Sequence, residues 1–233
     1  MKKVILSVAA VFAFGFANAQ EQEKEVSGYK PVKGTITTEV GLTGGLNNAD
    51  FDLNTGVLKF RYFLKDDMAV RAGLGVYSNK NEELDHSNPS NVATLTNKSS
   101  DITLNLGVEK HFAGSDRLST YAGADLLIGF KNANAEYSDN TTSAEVEGAN
   151  ADMAGNLSNN GRNYFGLRLV TGADYYIAKK VFLGVEAGLN LTTGKNKDIE
   201  VSSAGTTTTV GGGGKFSGID TAVIGGIRIG YQF

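Results

Sequence analysis

The 233-residue chain has no cysteine, no tryptophan, two prolines and two histidines. Without cysteine there is no disulfide framework, no thiolate metal site and no thiol nucleophile. Positive charge is also in short supply. Lys and Arg number 22 against 25 Asp and Glu, for a net charge of −3, which argues against a nucleic-acid partner because such a partner needs a concentrated basic surface. After the first residues no apolar run approaches the ~20 residues of a membrane-spanning helix. What is abundant is glycine, at 30 residues, within a chain that is 41% hydrophobic.

The beginning of the chain reads as an address. Lys2 and Lys3 precede an uncharged apolar run from Val4 to Ala17, and Ala17-Asn18-Ala19 follows as a small-x-small cleavage site. This is the pattern of a secretory signal peptide, with cleavage expected between Ala19 and Gln20. The run is too short for an anchoring helix. The expected organisation is therefore a signal peptide over 1–19, a charged periplasmic segment over 20–33 containing Pro31, and one domain over 34–233.

Within that domain, period-2 alternation dominates, the mark of strands with two unlike faces. Eight segments carry it: Thr35–Thr43, Gly56–Leu64, Met68–Tyr77, Asp101–Phe112, Ser119–Phe130, Tyr164–Ile177, Val181–Leu191 and Ile219–Phe233. Most are longer than the usual ~5–6 residues of a strand and match the ~9–11 tilted residues that cross a bilayer. Their connections alternate in length. Lys65–Asp67, Ala113–Leu118 and Ala178–Lys180 are tight turns; Ser78–Ser100, Lys131–Asn163 and Thr192–Gly218 are long, polar and expected to be solvated and mobile, and Gly44–Thr55 is a shorter loop on their side. Short turns on one side and long loops on the other describe an outer-membrane barrel with periplasmic turns and extracellular loops.

One parity of the strands is apolar, as in Leu58, Phe60, Tyr62 and Leu64, or Ile102, Leu104, Leu106 and Val108. The other carries Glu39, Lys59, Arg61, Arg71, Glu109, Asp125, Arg168, Asp174, Glu186 and Arg228, interleaved with glycines. Small residues fit the crowded interior of a narrow barrel. Aromatics near strand ends (Tyr62, Phe63, Phe112, Tyr164, Phe165, Tyr175, Tyr176, Phe182) suit interfacial girdles. The charged parity is thus expected to face the lumen and the apolar parity the lipid, with closure leaving no unpaired backbone edge in hydrocarbon. The resulting fold class is all-β: an eight-stranded antiparallel up-and-down transmembrane β-barrel.

The alternation and the ending Ile227-Arg228-Ile229-Gly230-Tyr231-Gln232-Phe233 resemble the small eight-stranded outer-membrane β-barrel proteins, the group containing OmpX, OmpW and the transmembrane domain of OmpA. The resemblance runs from about Gly34 to Phe233. It implies residence in the outer membrane and contact with its lipid. It also implies that Tyr231 and Phe233 form the signal read by the barrel-assembly machinery. The lack of tryptophan departs from many members, leaving Tyr and Phe to make the girdles.

Buried charges must be paired or they cost several kcal/mol. Strand order sets Glu39 between Arg61 and Arg228, Arg71 beside Glu109, and Arg228 beside Glu186, so a network that fills and plugs the lumen is expected. A gated polar path is the alternative. His111 sits at the periplasmic end, and His86, near Ser87 and Ser90, shows no triad pattern, so no catalytic residue is assigned. Asp50-Phe51-Asp52-Leu53-Asn54 alternates oxygen ligands but lacks the Gly and Glu of a calcium loop. Gly211–Phe216 lacks the hydroxyl and the helix of a phosphate loop. No metal, cofactor or nucleic acid is therefore expected. The leading expectation is a monomer with a structural or surface-recognition role, through its extracellular loops, for an extracellular ligand. A narrow passage for small or apolar solutes, as in OmpW-like members, comes second, and a lipid-modifying barrel enzyme third.

Overall fold

The computed structural model describes residues 28–42, 58–112 and 114–233, and every regular element among them is a strand. In chain order these are β1 (Ile36–Leu42), β2 (Leu58–Lys65), β3 (Met68–Asp85), β4 (Ala93–Phe112), β5 (Leu118–Ser138), β6 (Ser143–Glu147), β7 (Asn150–Ala151), β8 (Leu157–Ser158), β9 (Arg162–Ala178), β10 (Val181–Asn196), β11 (Asp198–Ser203), β12 (Thr206–Gly212) and β13 (Lys215–Gln232). The expected signal peptide 1–19 with its Ala19–Gln20 site, residues 20–27, residues 43–57 with Asp50–Asn54, and residue 113 lie outside the described residues.

Eight strands close into a ring in the order β1, β2, β3, β4, β5, β9, β10, β13 and back to β1, every neighbour antiparallel. Closure through β5 and β9 runs without a slip from Leu118 opposite Tyr175 to Lys131 opposite Arg162. The sequence explains the register. With a side-chain period of two, a one-residue slip would turn every charged residue of a strand into lipid and every apolar one into the lumen. The apolar parity lies outside: Phe60, Leu104, Leu106, Val108, Leu126, Leu167, Val185 and Ile229 are all exposed on the barrel wall.

Aromatics flank that apolar band, Tyr62, Tyr175, Tyr231 and Phe233 at the turn side and Phe130 and Phe165 at the loop side. Not all the aromatics expected in the girdles are there. Phe63, Tyr176 and Phe182 are fully buried, and Tyr164 turns inward, its hydroxyl 2.8 Å from Thr103 Oγ1. The reason is parity: each stands an even number of residues from a lumen charge or glycine. Glycine makes room for them. A Cβ on Gly129 would sit 2.0 Å from the Tyr164 ring, and one on Gly230 would sit 2.1 Å from the Phe182 ring.

The three long connections differ from the solvated, mobile loops expected from their composition. β3 and β4 continue as a hairpin through Ser78–Ser100, paired up to Asp85 opposite Ala93. Lys131–Asn163 prolongs β5 and adds β6, β7 and β8, while Thr192–Gly218 adds β11 and β12. β12, β11, β6, β5, β4 and β3 thereby form one sheet that rises from the barrel wall. The threonine and valine content of Val201–Val210 favours strand, and Ala204-Gly205, both at positive φ, make the two-residue turn between β11 and β12. Ser, Asn and Thr in a doubly solvated sheet look the same as a loop when only hydrophobicity is read.

At the opposite end, residues 28–35 are tied to the turns around the barrel mouth. Arg117 Nη2 donates to the Tyr29 hydroxyl at 2.7 Å while its guanidinium lies over that ring, Lys33 N donates to Asp66 Oδ1 at 2.9 Å, and Gln232 Nε2 donates to Tyr29 O at 3.0 Å.

Candidate functional site

The inward parity of all eight wall strands converges on one cluster in the turn-side half of the lumen. β1 supplies Glu39, β2 Lys59 and Arg61, β3 Arg71, β4 Glu109 and β5 Asp125, while Asp174, Glu186 and Arg228 come from β9, β10 and β13. All nine are buried. Arg71 serves three carboxylates at once: Nη1 lies 2.9 Å from Glu109 Oε2, Nε 2.8 Å from Asp125 Oδ1, and Nη2 2.8 Å from Glu186 Oε1. Arg61 reaches Asp174 Oδ2 at 2.6 Å, Glu109 Oε1 at 2.9 Å and Glu39 Oε1 at 3.4 Å. Arg228 Nη1 bonds Glu39 Oε2 at 2.7 Å, and Lys59 bridges Glu39 and Glu186 at 3.0 and 2.9 Å. The guanidinium fork suits such multiple pairing, since each of its N–H groups can find its own oxygen.

Tyr121, which the charge pattern did not single out, stands at the centre. Its hydroxyl donates to Glu186 Oε2 at 2.7 Å and accepts from Arg228 Nη2 at 2.6 Å, with Arg61 4.8 Å above its ring. Its position, two residues before Gly123 and four before Asp125 on the inward parity, is the signal that could have found it. Arg168 stands apart from the nine. Although registered opposite Asp125, its Nε turns to Asn190 Oδ1 at 2.6 Å, and Asn190 in turn donates to Asp220 Oδ2 at 2.7 Å. This relay forms part of the wall of a vestibule of about 300 Å³ on the loop side, lined also by Arg162, Tyr164 and Phe216.

His111 lies below the cluster between the Phe63 and Tyr121 rings, 5.1 and 5.2 Å away. One ring nitrogen is 2.8 Å from Ser119 Oγ and the other 2.9 Å from Glu109 Oε1. Serine, histidine and glutamate therefore do meet, which spacing alone did not indicate. The serine is nonetheless only 3% exposed, and Glu109 is held by Arg61 and Arg71, so the trio acts as a linked part of the lumen filling. A nucleophile needs a substrate within reach. His86 is on the β3–β4 hairpin tip, remote from this trio. Tyr231 and Phe233 face outward at the barrel rim with their rings edge-on at 5.0 Å. Among the described residues no group of His, Asp and Glu has a metal-holding arrangement.

Beyond the membrane, the lumen-facing parity changes character. Leu95 on β4, Ala135 on β5, Val146 on β6 and Ile199 on β11 form a small buried core with Ala149. The β7–β8 hairpin folds over it, anchored by Asn150. Asn150 Oδ1 accepts from Ser99 Oγ at 2.8 Å and from Asn159 Nδ2 at 2.5 Å, and its Nδ2 donates to Asn134 O at 2.9 Å and Lys98 O at 3.2 Å. Asn97 closes a second pair with the backbone of Ala151, at 2.8 and 3.0 Å.

Residues 45–190, well over half of the chain, match the model of the OmpA-OmpF-like porin family. The chain belongs to that family. As a member it is an outer-membrane porin-like β-barrel, and the closed ring with its outward apolar band is the structural counterpart of that membership. No curated protein sequence matches it. Among solved structures it is similar to Ail, the attachment invasion locus protein of Yersinia pestis. The two are 14% identical over 87% of this chain and 100% of that one, with a TM-score of 0.38. It is also similar to CarO of Acinetobacter baumannii, at 16% identity over 87% of this chain and 97% of that one, with a TM-score of 0.34. Within the porin-like family, the feature to explain here is a lumen occupied by charge.

Proposed function

We propose that this porin-like barrel acts at the cell surface through its extracellular sheet, on a barrel whose lumen is closed by the ion-pair network. The observation that carries the reading is the continuation of the wall into a six-strand sheet whose last strand, β12, has no neighbour on its far side among the described residues. Every residue of β12 is exposed. An unpaired strand edge offers a row of backbone donors and acceptors, and proteins ordinarily blunt or cover such an edge unless something pairs with it. The passage reading has less support, because the path through the lumen meets side chains that are at most a few per cent exposed. An enzymatic reading finds only the buried Ser119.

In this reading the protein is exported with residues 1–19 removed and works as a monomer in outer-membrane lipid. Tyr231 and Phe233 present its end to the barrel-assembly machinery, and the extracellular ligand is a protein that adds a strand. Cells displaying the full barrel are compared with cells whose β11–β12 hairpin, 198–212, is replaced by a short Gly-Ser turn, for adherence to immobilised extracellular proteins. Adherence that falls with the hairpin, at equal amounts of inserted barrel, is expected. Equal adherence of the two would contradict it.

A further inference from the structure

The extracellular core is incompletely covered. Between the sheet and the β7–β8 hairpin lies a cleft of about 520 Å³, a volume in the range of small-molecule sites. Its floor is Leu95, Ala135, Tyr137, Val146, Val201 and Val210; its roof is the hairpin tip with Met153 and Leu157. The polar groups in the lining are already used. The Tyr137 hydroxyl donates to Asp139 Oδ2 at 3.0 Å. The Asp152 carboxylate accepts from the N–H groups of Ala154 and Asn156 and from the Asn156 side chain, at 2.8–2.9 Å. What remains unsatisfied is apolar surface, with Val210 52% and Leu157 38% exposed to water.

The surroundings add a sign. On the face of the sheet that holds the cleft, Glu83 stands opposite Leu95, Asp85 follows two residues on, and Asp139 and Asp152 sit at the adjoining turns, while Glu82, Glu136, Glu145, Glu147 and Glu200 alternate onto the other face, where Lys80 and Lys98 pair with Glu82 and Glu136. The carboxylates at the tips are firmly ionised. Donation from the Thr141 and Thr142 N–H groups and the Thr141 hydroxyl holds Asp139 down at about 2, the Ser87 N–H lowers Asp85, and the Asn156 side-chain amide with its backbone N–H lowers Asp152. Carboxylates of one sign along the rim of an apolar recess concentrate counter-ions there.

We infer that this cleft is a binding site for a small cationic amphiphile, an aromatic or aliphatic body entering between Val210 and Leu157 with an ammonium head left at the acidic rim. The hairpin suits such a role. β7 and β8 are joined by only two residue pairs, and the flexible thioether of Met153 can follow the shape of a guest. The anchor at Asn150 stays fixed while the tip from 152 to 157 adjusts.

The test uses the full barrel in lipid nanodiscs, since detergent would itself compete for the cleft. Binding of 4-phenylbutylammonium, 4-phenylbutanoate and neutral 4-phenylbutanol is measured by titration calorimetry against empty nanodiscs. The ammonium is expected to bind at one per barrel, at least about tenfold tighter than the carboxylate. Its advantage should shrink in 1 M salt, where the screening length falls to ~3 Å. Ala154→Trp, which fills the cleft from an exposed position, is expected to weaken the ammonium and the alcohol by about tenfold or more. Val210→Lys, which sets a positive charge at the half-exposed rim of the cleft, is expected to reverse the preference between ammonium and carboxylate. Equal binding of the two charged probes, no saturable binding of any probe, or affinities unmoved by both variants would overturn the inference. Gel mobility before and after boiling verifies that each variant is a folded barrel.

Discussion

Arg71→Ala is expected to lower the unfolding free energy of the refolded barrel by about 3–5 kcal/mol, the usual cost of leaving a buried ionic cluster without one partner. The size follows from what Arg71 holds. Glu109, Asp125 and Glu186 all take hydrogen bonds from it at 2.8–3.0 Å, and none can turn to bulk water, being at most 2% exposed. Lys59 still reaches Glu186 and Arg61 still reaches Glu109, but Asp125 has no other cation within salt-bridge distance among the described residues. Arg71→Lys should recover only part of the loss, because one ammonium cannot present separate donors to three carboxylates in the plane of the fork. Urea titration followed by the boiled-to-unboiled gel shift measures it. A loss below about 1 kcal/mol would mean that the network is worth no more than a set of exposed pairs.

Asn150→Ala is expected to release the β7–β8 hairpin while leaving the barrel intact. Asn150 makes four hydrogen bonds, and its removal leaves the carbonyls of Lys98 and Asn134 and the Ser99 hydroxyl without it in a part-buried place. An unsatisfied buried group costs about 1–3 kcal/mol, which is large against a hairpin of two residue pairs. Limited proteolysis should then cut between 152 and 160, where the parent protein resists, with the gel shift of the barrel unchanged. Resistance equal to the parent's would show that the small apolar core around Val146 holds the hairpin by itself. The local character of the effect follows from position, since the hairpin stands above the ring that closes the barrel.

The barrel was largely legible in the residues. Alternation identified all eight wall strands, and their short turns fell where Asp66-Asp67 and Lys179-Lys180 stand. A period of two carries both the strand and its inside, so the sequence alone sets Glu39, Arg61 and Arg71 facing the lumen. The same rule, applied to every side chain and not only to charges, would have turned Phe63, Tyr176 and Phe182 inward and found Tyr121. These rings share the face that the charges mark. Pairings four strands apart across the lumen, such as Arg61 with Asp174, were not legible, because neighbour order in a sheet says nothing about reach across a closed ring. The extracellular sheet was missed for another reason. Asn97, Ser99 and Asn150 form a polar anchor that hydrophobicity scores as loop, and the apolar residues beneath it are small and scattered through long polar segments.

Charge closing the lumen is the point on which surface action, and not passage, depends. Single-channel recording of the refolded parent barrel in planar bilayers, on samples whose gel mobility shifts with boiling, tests it most directly. No conductance steps are expected from the parent, with steps appearing in Arg71→Ala once water enters the space its side chain leaves. Steady, reproducible channels from the parent protein would contradict a closed lumen and make passage of solutes its function.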